Sequence, residues 1–126
     1  MGKKFAVIFG IIFILVGLLG FFNNPIVGAT SFFYADALQN ILHLLVGIVF
    51  LIAAGAGENA SILWLKVWGI IYLILFIDGL FQPASLLGIL GSNGHDTYLY
   101  IAAGLILVII GFSLDGKSVM ADKATM

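Results

Sequence analysis

Apolar and polar positions alternate along this chain on a long scale, as four apolar runs separated by short polar stretches. The second run, Ala37 to Ala54, reads ALQNILHLLVGIVFLIAA. Together with the preceding acid, Asp36, Asn40, His43 and Gly47 fall at i, i+4, i+7 and i+11. At about 100° per residue they share an arc of roughly 60°. One face of the predicted helix is therefore polar and then small, and the rest is Leu, Ile, Val and Phe. A polar stripe against lipid is unfavourable, so this face is expected to look into protein.

The other runs have similar length. Phe5–Phe22 holds 18 residues with no charge, which is about 27 Å of helix, close to a hydrocarbon core. A secretory signal is the alternative, with Lys3-Lys4 in front and Val27-Gly28-Ala29 as a small-residue cleavage site. Signal cores run to about 7–15 residues, so a retained span is favoured. Asn23-Asn24-Pro25 is expected to end it, and Phe32-Phe33-Tyr34 has the character of an interfacial anchor. Gly55 to Asn59 is a predicted turn. The third run, Ile62–Phe81, opens with Trp64, Lys66 and Trp68, again an interfacial signature, and carries Asp78 one turn from its far end. Gln82-Pro83 closes it, and Gly88–Asp96 is a predicted glycine-rich loop holding His95. The fourth run is Thr97–Leu114. The polar tail from Asp115 to Met126 is expected to fray. Residues 1–126 thus predict one all-α integral membrane domain, a four-helix bundle with spans near 5–22, 37–54, 62–81 and 97–114.

Composition agrees. Charged residues make up 9% and hydrophobic ones 63% of the chain, with mean hydropathy +1.23. A soluble domain carries about 25% charged residues, so lipid must replace water around most of this one. The absence of cysteine excludes disulfides and thiolate chemistry, and no basic stripe exists for nucleic acid. All five lysines (Lys3, Lys4, Lys66, Lys117, Lys123) lie toward the N-terminus, the 2–3 turn or the tail. The other two connections carry Asp36, His95 and Asp96 instead. The positive-inside rule then predicts a multi-pass protein of the cell membrane with both termini in the cytoplasm.

The chain also repeats itself. GIIFILVGLLGFF from Gly10 aligns with GIIYLILFIDGLF from Gly69, placing Phe13 opposite Tyr72 and Gly20 opposite Gly79. Asn40-Ile-Leu-His43-Leu-Leu-Val-Gly47 aligns with Thr97-Tyr-Leu-Tyr100-Ile-Ala-Ala-Gly104, and the two prolines follow in equivalent places. Each half has two spans, so the repeat is parallel, with a pseudo-two-fold axis along the membrane normal. Gly10, Gly17, Gly20, Gly47, Gly69, Gly104 and Gly111 are the predicted sites of close helix approach.

Candidate chemistry is confined to Asp36, Asn40, His43, Asp78, His95, Asp96 and Tyr100. By helical rise, His43 and Asp78 share a depth, so an interhelical hydrogen bond between them is the simplest expectation. A functional pocket or proton-sensing pair is the sharper alternative, and Asp78 snorkelling alone to the interface is another. No HExxH or comparable metal spacing is present, and His95 in a glycine-rich loop is poorly placed as a haem ligand. No span carries a charge near its middle, where ion and proton pathways place one. There is no nucleotide loop, no partnered nucleophile and no arginine. These absences predict no enzyme, no cofactor and no metal.

Asn40-x-x-His43-x-x-x-Gly47 after an aromatic-rich loop, Gly69-Ile-Ile-Tyr72-Leu, and Asn93-Gly94-His95-Asp96 before a glycine-bearing last span resemble the small bacterial membrane family known as domain of unknown function 4383. The likeness covers nearly the whole chain. It implies a four-span bundle in a bacterial inner membrane and supplies no activity. That family is expected to carry a second histidine near the start of span 4, where this chain has Tyr100, which weakens a two-histidine ligand set. Two functions are left open: a structural or accessory protein in contact with itself or a larger complex, and a small-molecule or ion passage or outward-facing pocket. A dry bundle would favour the first. A wet path lined by Asn40, His43, Thr97 and Tyr100 would favour the second.

Overall fold

The computed structural model describes residues 1–28, 30–33, 35–81, 85–86, 90–91 and 94–125. Four helices carry the architecture: α1 Gly2–Leu19, α2 Ala37–Ala56, α3 Glu58–Phe81 and α4 Gly94–Thr125. Between α3 and α4, β1 Ser85–Leu86 and β2 Leu90–Gly91 form a small antiparallel pair. Each helix contains an apolar segment long enough to cross a membrane: Gly2–Leu19, Ala37–Ala56, Glu58–Phe81 and His95–Asp115. The molecule is a four-helix membrane bundle. α1 pairs with α2 and α3 with α4 as two antiparallel hairpins, joined through α1–α3 and α2–α3 packing. Its proximal end holds the N-terminus and the α2–α3 turn. Its distal end holds the α1–α2 and α3–α4 connections.

Several boundaries differ from the sequence expectation. α1 ends at Leu19, well before Pro25, so proline is not what stops it. Its termination is made by Asn24, whose Nδ2 donates to the Leu19 carbonyl at 2.7 Å and to Phe22 O at 2.7 Å. The same side chain accepts from Ile26 N at 2.9 Å and Val27 N at 2.8 Å, folding the connection around one amide. Terminal carbonyls lack intrahelical partners, and Asn24 supplies one. The predicted turn from Gly55 to Asn59 contracts to Gly57, which sits at φ +139, a region open to glycine at little cost. Buried Ser61 ties that turn together, donating from Oγ to Gly57 O at 2.8 Å and Ala53 O at 3.2 Å.

The tail does not fray as expected: α4 continues to Thr125. Adding residues to an existing helix needs no new nucleus, and Lys, Met and Ala in that stretch favour it. Trp64 and Trp68 are likewise not interfacial anchors. Both are half-buried within α3 and their rings pack inward, Trp64 against Phe50 at 6.0 Å and Trp68 against Tyr72 at 5.9 Å. Tyr34, Gln82-Pro83, Gly88 and Asn93 lie outside the described residues.

The buried face of α1 is Gly2, Ala6, Gly10, Phe13 and Gly17, a stripe of small residues interrupted by one ring. Without water to expel, helices in a bilayer associate through close packing, which small residues permit. The core holds Ala6, Phe13, Val46, Phe50, Leu65, Tyr72, Tyr100 and Leu107. Ile11, Leu15, Ile52, Leu63, Ile74 and Ile109 face outward, where lipid meets them.

Candidate functional site

The two hairpins cross in the same way. A Cβ added at Gly47 would lie 2.6 Å from Gly10 O and 2.9 Å from Ile14 N. One at Gly104 would lie 3.1 Å from Leu73 N, and Leu73 is the repeat equivalent of Ile14. Gly10 and Gly69 are equivalent too: a Cβ at Gly10 would lie 3.0 Å from Gly47 O, and one at Gly69 2.8 Å from Val108 N. Backbone comes close at both crossings, most tightly at Gly47, while Leu51, Leu73 and Val108 side chains also press on Gly10, Gly104 and Gly69. Gly17 lies under Leu44 and the Asn40 carbonyl, and Gly111 under the Lys66 stem.

Nearer the distal end the glycines make room for polar groups. Gly20 gives space to the Asn40 amide, and Gly79 to the Thr97 side chain, 2.7 Å from the Thr97 hydroxyl to a built Cβ. Asn40 is 3% and Thr97 8% exposed. Asn40 Oδ1, Thr97 Oγ1 and His43 Nδ1 are all buried without a hydrogen-bond partner among the described residues.

Between these sites runs a row of rings. His43 lies 6.0 Å from Phe13, Phe13 stacks on Tyr72 at 6.0 Å, and Tyr72 stacks on Tyr100 at 5.8 Å. The row is symmetric about its centre, because Phe13 and Tyr72 are repeat equivalents and so are His43 and Tyr100. Phe13 also contacts Phe50 and Trp68. Rings therefore occupy the centre of the bundle.

The expected His43–Asp78 hydrogen bond is not made through Nδ1. The imidazole packs on Phe13, one helix away from where equal depth suggested. Asp78 is half-buried in the last turn of α3 and has an interaction of its own. Asp36 is not part of an inward polar face either. It is the N-cap of α2, accepting from Gln39 N at 2.9 Å, the role short acceptors fill at a helix start. Asp96 is buried in the first turn of α4, where the helix dipole favours an acid. Asp36 and His95 thus stand apart from His43, and no group of three or more potential metal ligands exists among the described residues.

His95 belongs to a different neighbourhood. Its ring stacks on Phe32 with centroids 3.8 Å apart and planes at 14°, and its Nδ1 lies 3.0 Å from the Phe32 carbonyl. A carbonyl only accepts, so Nδ1 carries the proton of that bond. This contact latches the α1–α2 connection onto the start of α4. Beside it is an open cleft of about 270 Å³ lined by Phe32, Phe33, His95, Tyr98, Leu99 and Ala102.

Two proximal features have no counterpart in the sequence expectation. Glu58 accepts from Gly2 N at 2.6 Å and Lys3 N at 3.1 Å, with the amino group of Met1 at 3.4 Å. One carboxylate from the start of α3 thereby caps α1. Lys66 pairs with Asp115 at 2.9 Å and stands 5.2 Å from the Phe112 ring centre, fastening α3 to α4. Both partners are far apart in the chain, so only the matching of a lone acid to a helix start hinted at the first.

No curated protein and no solved structure matches the chain. A family model does, over residues 3–113, and it is described as a domain of unknown function, DUF4383. Four membrane helices, a glycine-crossed parallel repeat and this match over most of its length agree: the chain belongs to the DUF4383 family.

Proposed function

We propose that the protein is a structural or accessory component of the cell membrane, acting through helix contacts with itself or with a larger membrane complex, and that it catalyses no reaction. The observation that carries this is the row of rings through the centre of the bundle. The residues that would line a passage are engaged in packing: Asn40 sits on Gly20, Thr97 on Gly79, and His43 and Tyr100 end the ring row. Phe13 and Tyr72 fill the space between them. A conducting path needs water at these positions, and rings with centroids 5.8–6.0 Å apart stand in its way.

The same proposal puts both termini in the cytoplasm. Support comes from the lysines, of which Lys3, Lys4 and Lys66 lie on the proximal half and Lys117 and Lys123 on the same side through α4. The α1–α2 and α3–α4 connections carry no lysine, and the positive-inside rule then puts the distal end outside.

The test is purification of the full chain in mild detergent, followed by native mass spectrometry and by flux measurements in proteoliposomes. A homo-oligomer or a retained protein partner, with no flux above empty vesicles, is the expected result. A partner-free monomer that conducts ions or small solutes overturns the proposal.

A further inference from the structure

The Phe32–His95 latch fastens two distant segments through a side chain that titrates near neutral pH. His95 is exposed, at the second residue of α4, so protons reach it directly. Its ring lies on the Phe32 ring with centroids 3.8 Å apart and planes at 14°, and its Nδ1 stands 3.0 Å from the Phe32 carbonyl. One residue of the α1–α2 connection is thus gripped twice by one side chain. Phe32 and Phe33 also form a wall of the cleft of about 270 Å³, so the same grip sets where that wall stands.

Both grips depend on the charge of the imidazole. A neutral ring carries one N–H, and only the tautomer with that proton on Nδ1 donates to the carbonyl. The other tautomer turns a lone pair on the carbonyl oxygen. The protonated ring has N–H on both nitrogens, so every molecule makes the bond, and a charged donor makes it stronger. The stack changes in the same sense. A cation over the face of Phe is attracted by the ring quadrupole, and a neutral imidazole lacks that attraction.

Nothing that closes onto His95 opposes its charge. From Gly20 to Asp36 the sequence holds no cation; its ionisable groups are Asp36 and Tyr34, and a phenol stays neutral below about pH 10. From Gln82 to Asn93, the α3–α4 connection has no ionisable side chain in its sequence. Asp78 in the last turn of α3 and Asp96 in the first turn of α4 are acids. The N-terminal dipole of α4 does disfavour a cation at its start. That dipole, Asp96 and Tyr98 all travel with His95, however, and act on it whether Phe32 is engaged or not. Engagement adds a carbonyl acceptor, an aromatic face and a segment whose one charge below the tyrosine range is Asp36.

We propose that the α1–α2 connection is a strap that acid fastens and alkali loosens, with His95 as its proton switch. An imidazole changes charge between about pH 5 and 8, so the strap responds over that range. The switch is independent of whether the bundle acts as a scaffold. The orientation proposed above decides only that the proton reaching it is an external one.

The test is hydrogen exchange of the full chain in detergent, read by mass spectrometry at about pH 5.5 and pH 8 and corrected for the intrinsic pH dependence of amide exchange. Gly28 N and Phe33 N, which donate to Phe33 O and Ile26 O within the connection, report its opening. Their protection should be about two- to fivefold greater at the lower pH, with no such ratio at the central amides of α2 and α3. His95→Phe keeps a ring for the stack and cannot titrate, so it should abolish the ratio. His43→Phe removes the other histidine of the chain and should leave the ratio intact. Thermal unfolding in detergent at both pH values checks that each variant folds as the parent does; His95→Leu replaces His95→Phe if that one does not. Equal protection at both pH values in the parent, greater protection at pH 8, a ratio that survives the loss of His95, or one that vanishes with His43 overturns the proposal.

Discussion

Phe13 and Tyr72 stack with ring centroids 6.0 Å apart and planes at 19°, and the two residues hold the same position in the two halves of the chain. An internal repeat thus meets itself at its own equivalent residue, which puts the pseudo-two-fold axis between these rings. Phe13 is the more connected of the two halves' centres, since it also touches His43, Phe50 and Trp68. Phe13→Ala should therefore lower stability by about 3–5 kcal/mol, through lost contacts and the cavity left behind. In a double-mutant cycle with Tyr72→Ala, the two effects should couple by about 0.5–1.5 kcal/mol. Denaturation in mixed micelles measures both. Additive effects would mean that the two rings are neighbours without interacting.

Glycines at helix crossings differ from Gly55, which touches nothing. Gly47→Leu should destabilise the bundle by about 1–3 kcal/mol or more, because its Cβ meets the backbone of Gly10 and Ile14. Gly104→Leu should behave alike, against Leu73. Gly55, also in α2, has nothing within 4 Å of a built Cβ. Gly55→Ala should be neutral or stabilising by about 0.5–1 kcal/mol, from helix propensity alone. Thermal unfolding in detergent of the three variants gives the comparison. Equal effects at Gly47 and Gly55 would show that glycine is needed there for flexibility and not for contact.

Glu58 caps a helix that begins 56 positions earlier. Glu58→Ala should release Gly2 N and Lys3 N and destabilise by about 1 kcal/mol, the usual worth of an N-cap. Glu58→Gln keeps an acceptor and should recover part of that. Hydrogen exchange at the first amides of α1 reports it directly, with protection falling in Glu58→Ala while α4 amides are unchanged. A uniform loss across all helices would instead indicate that Glu58 governs global folding.

What could be foreseen from the chain, and what could not, divides along physical lines. Span positions follow from run length and apolarity, which a bilayer constrains strongly. The repeat was visible because glycines at Gly10, Gly69, Gly47 and Gly104 are spaced alike, and their contacts follow from that spacing. The expectation of a His43–Asp78 bond is not met at Nδ1, because helical rise gives depth only. Which helix a residue faces depends on rotation about the helix axis, and here Phe13 of α1 takes the place in front of His43. Trp64 and Trp68 differ for a related reason: the turn at Gly57 is so short that α3 starts earlier, and both half-buried rings pack inward. The Glu58 cap and the Phe32–His95 latch join segments distant in sequence, and no local pattern announces either.

His43 and Thr97 allow the sharpest test of whether polar residues inside this bundle serve structure. A buried polar group without a partner is unfavourable by about 1–3 kcal/mol. His43 Nδ1 and Thr97 Oγ1 are both in that condition, and each side chain is otherwise well packed, on Phe13 and on Gly79. His43→Phe keeps a ring against Phe13 and removes the nitrogens. Thr97→Val keeps the shape over Gly79 and removes the hydroxyl. Both should leave stability unchanged or raise it by up to about 1–2 kcal/mol. His43→Gln, which keeps polarity and loses the ring, should be the less stable of the two His43 variants. A hydrogen-bonding role would reverse that order, because Gln retains both a donor and an acceptor. Denaturation in mixed micelles ranks the variants, and His43→Phe falling more than about 1 kcal/mol below the parent would establish that the imidazole nitrogens have a partner in the membrane.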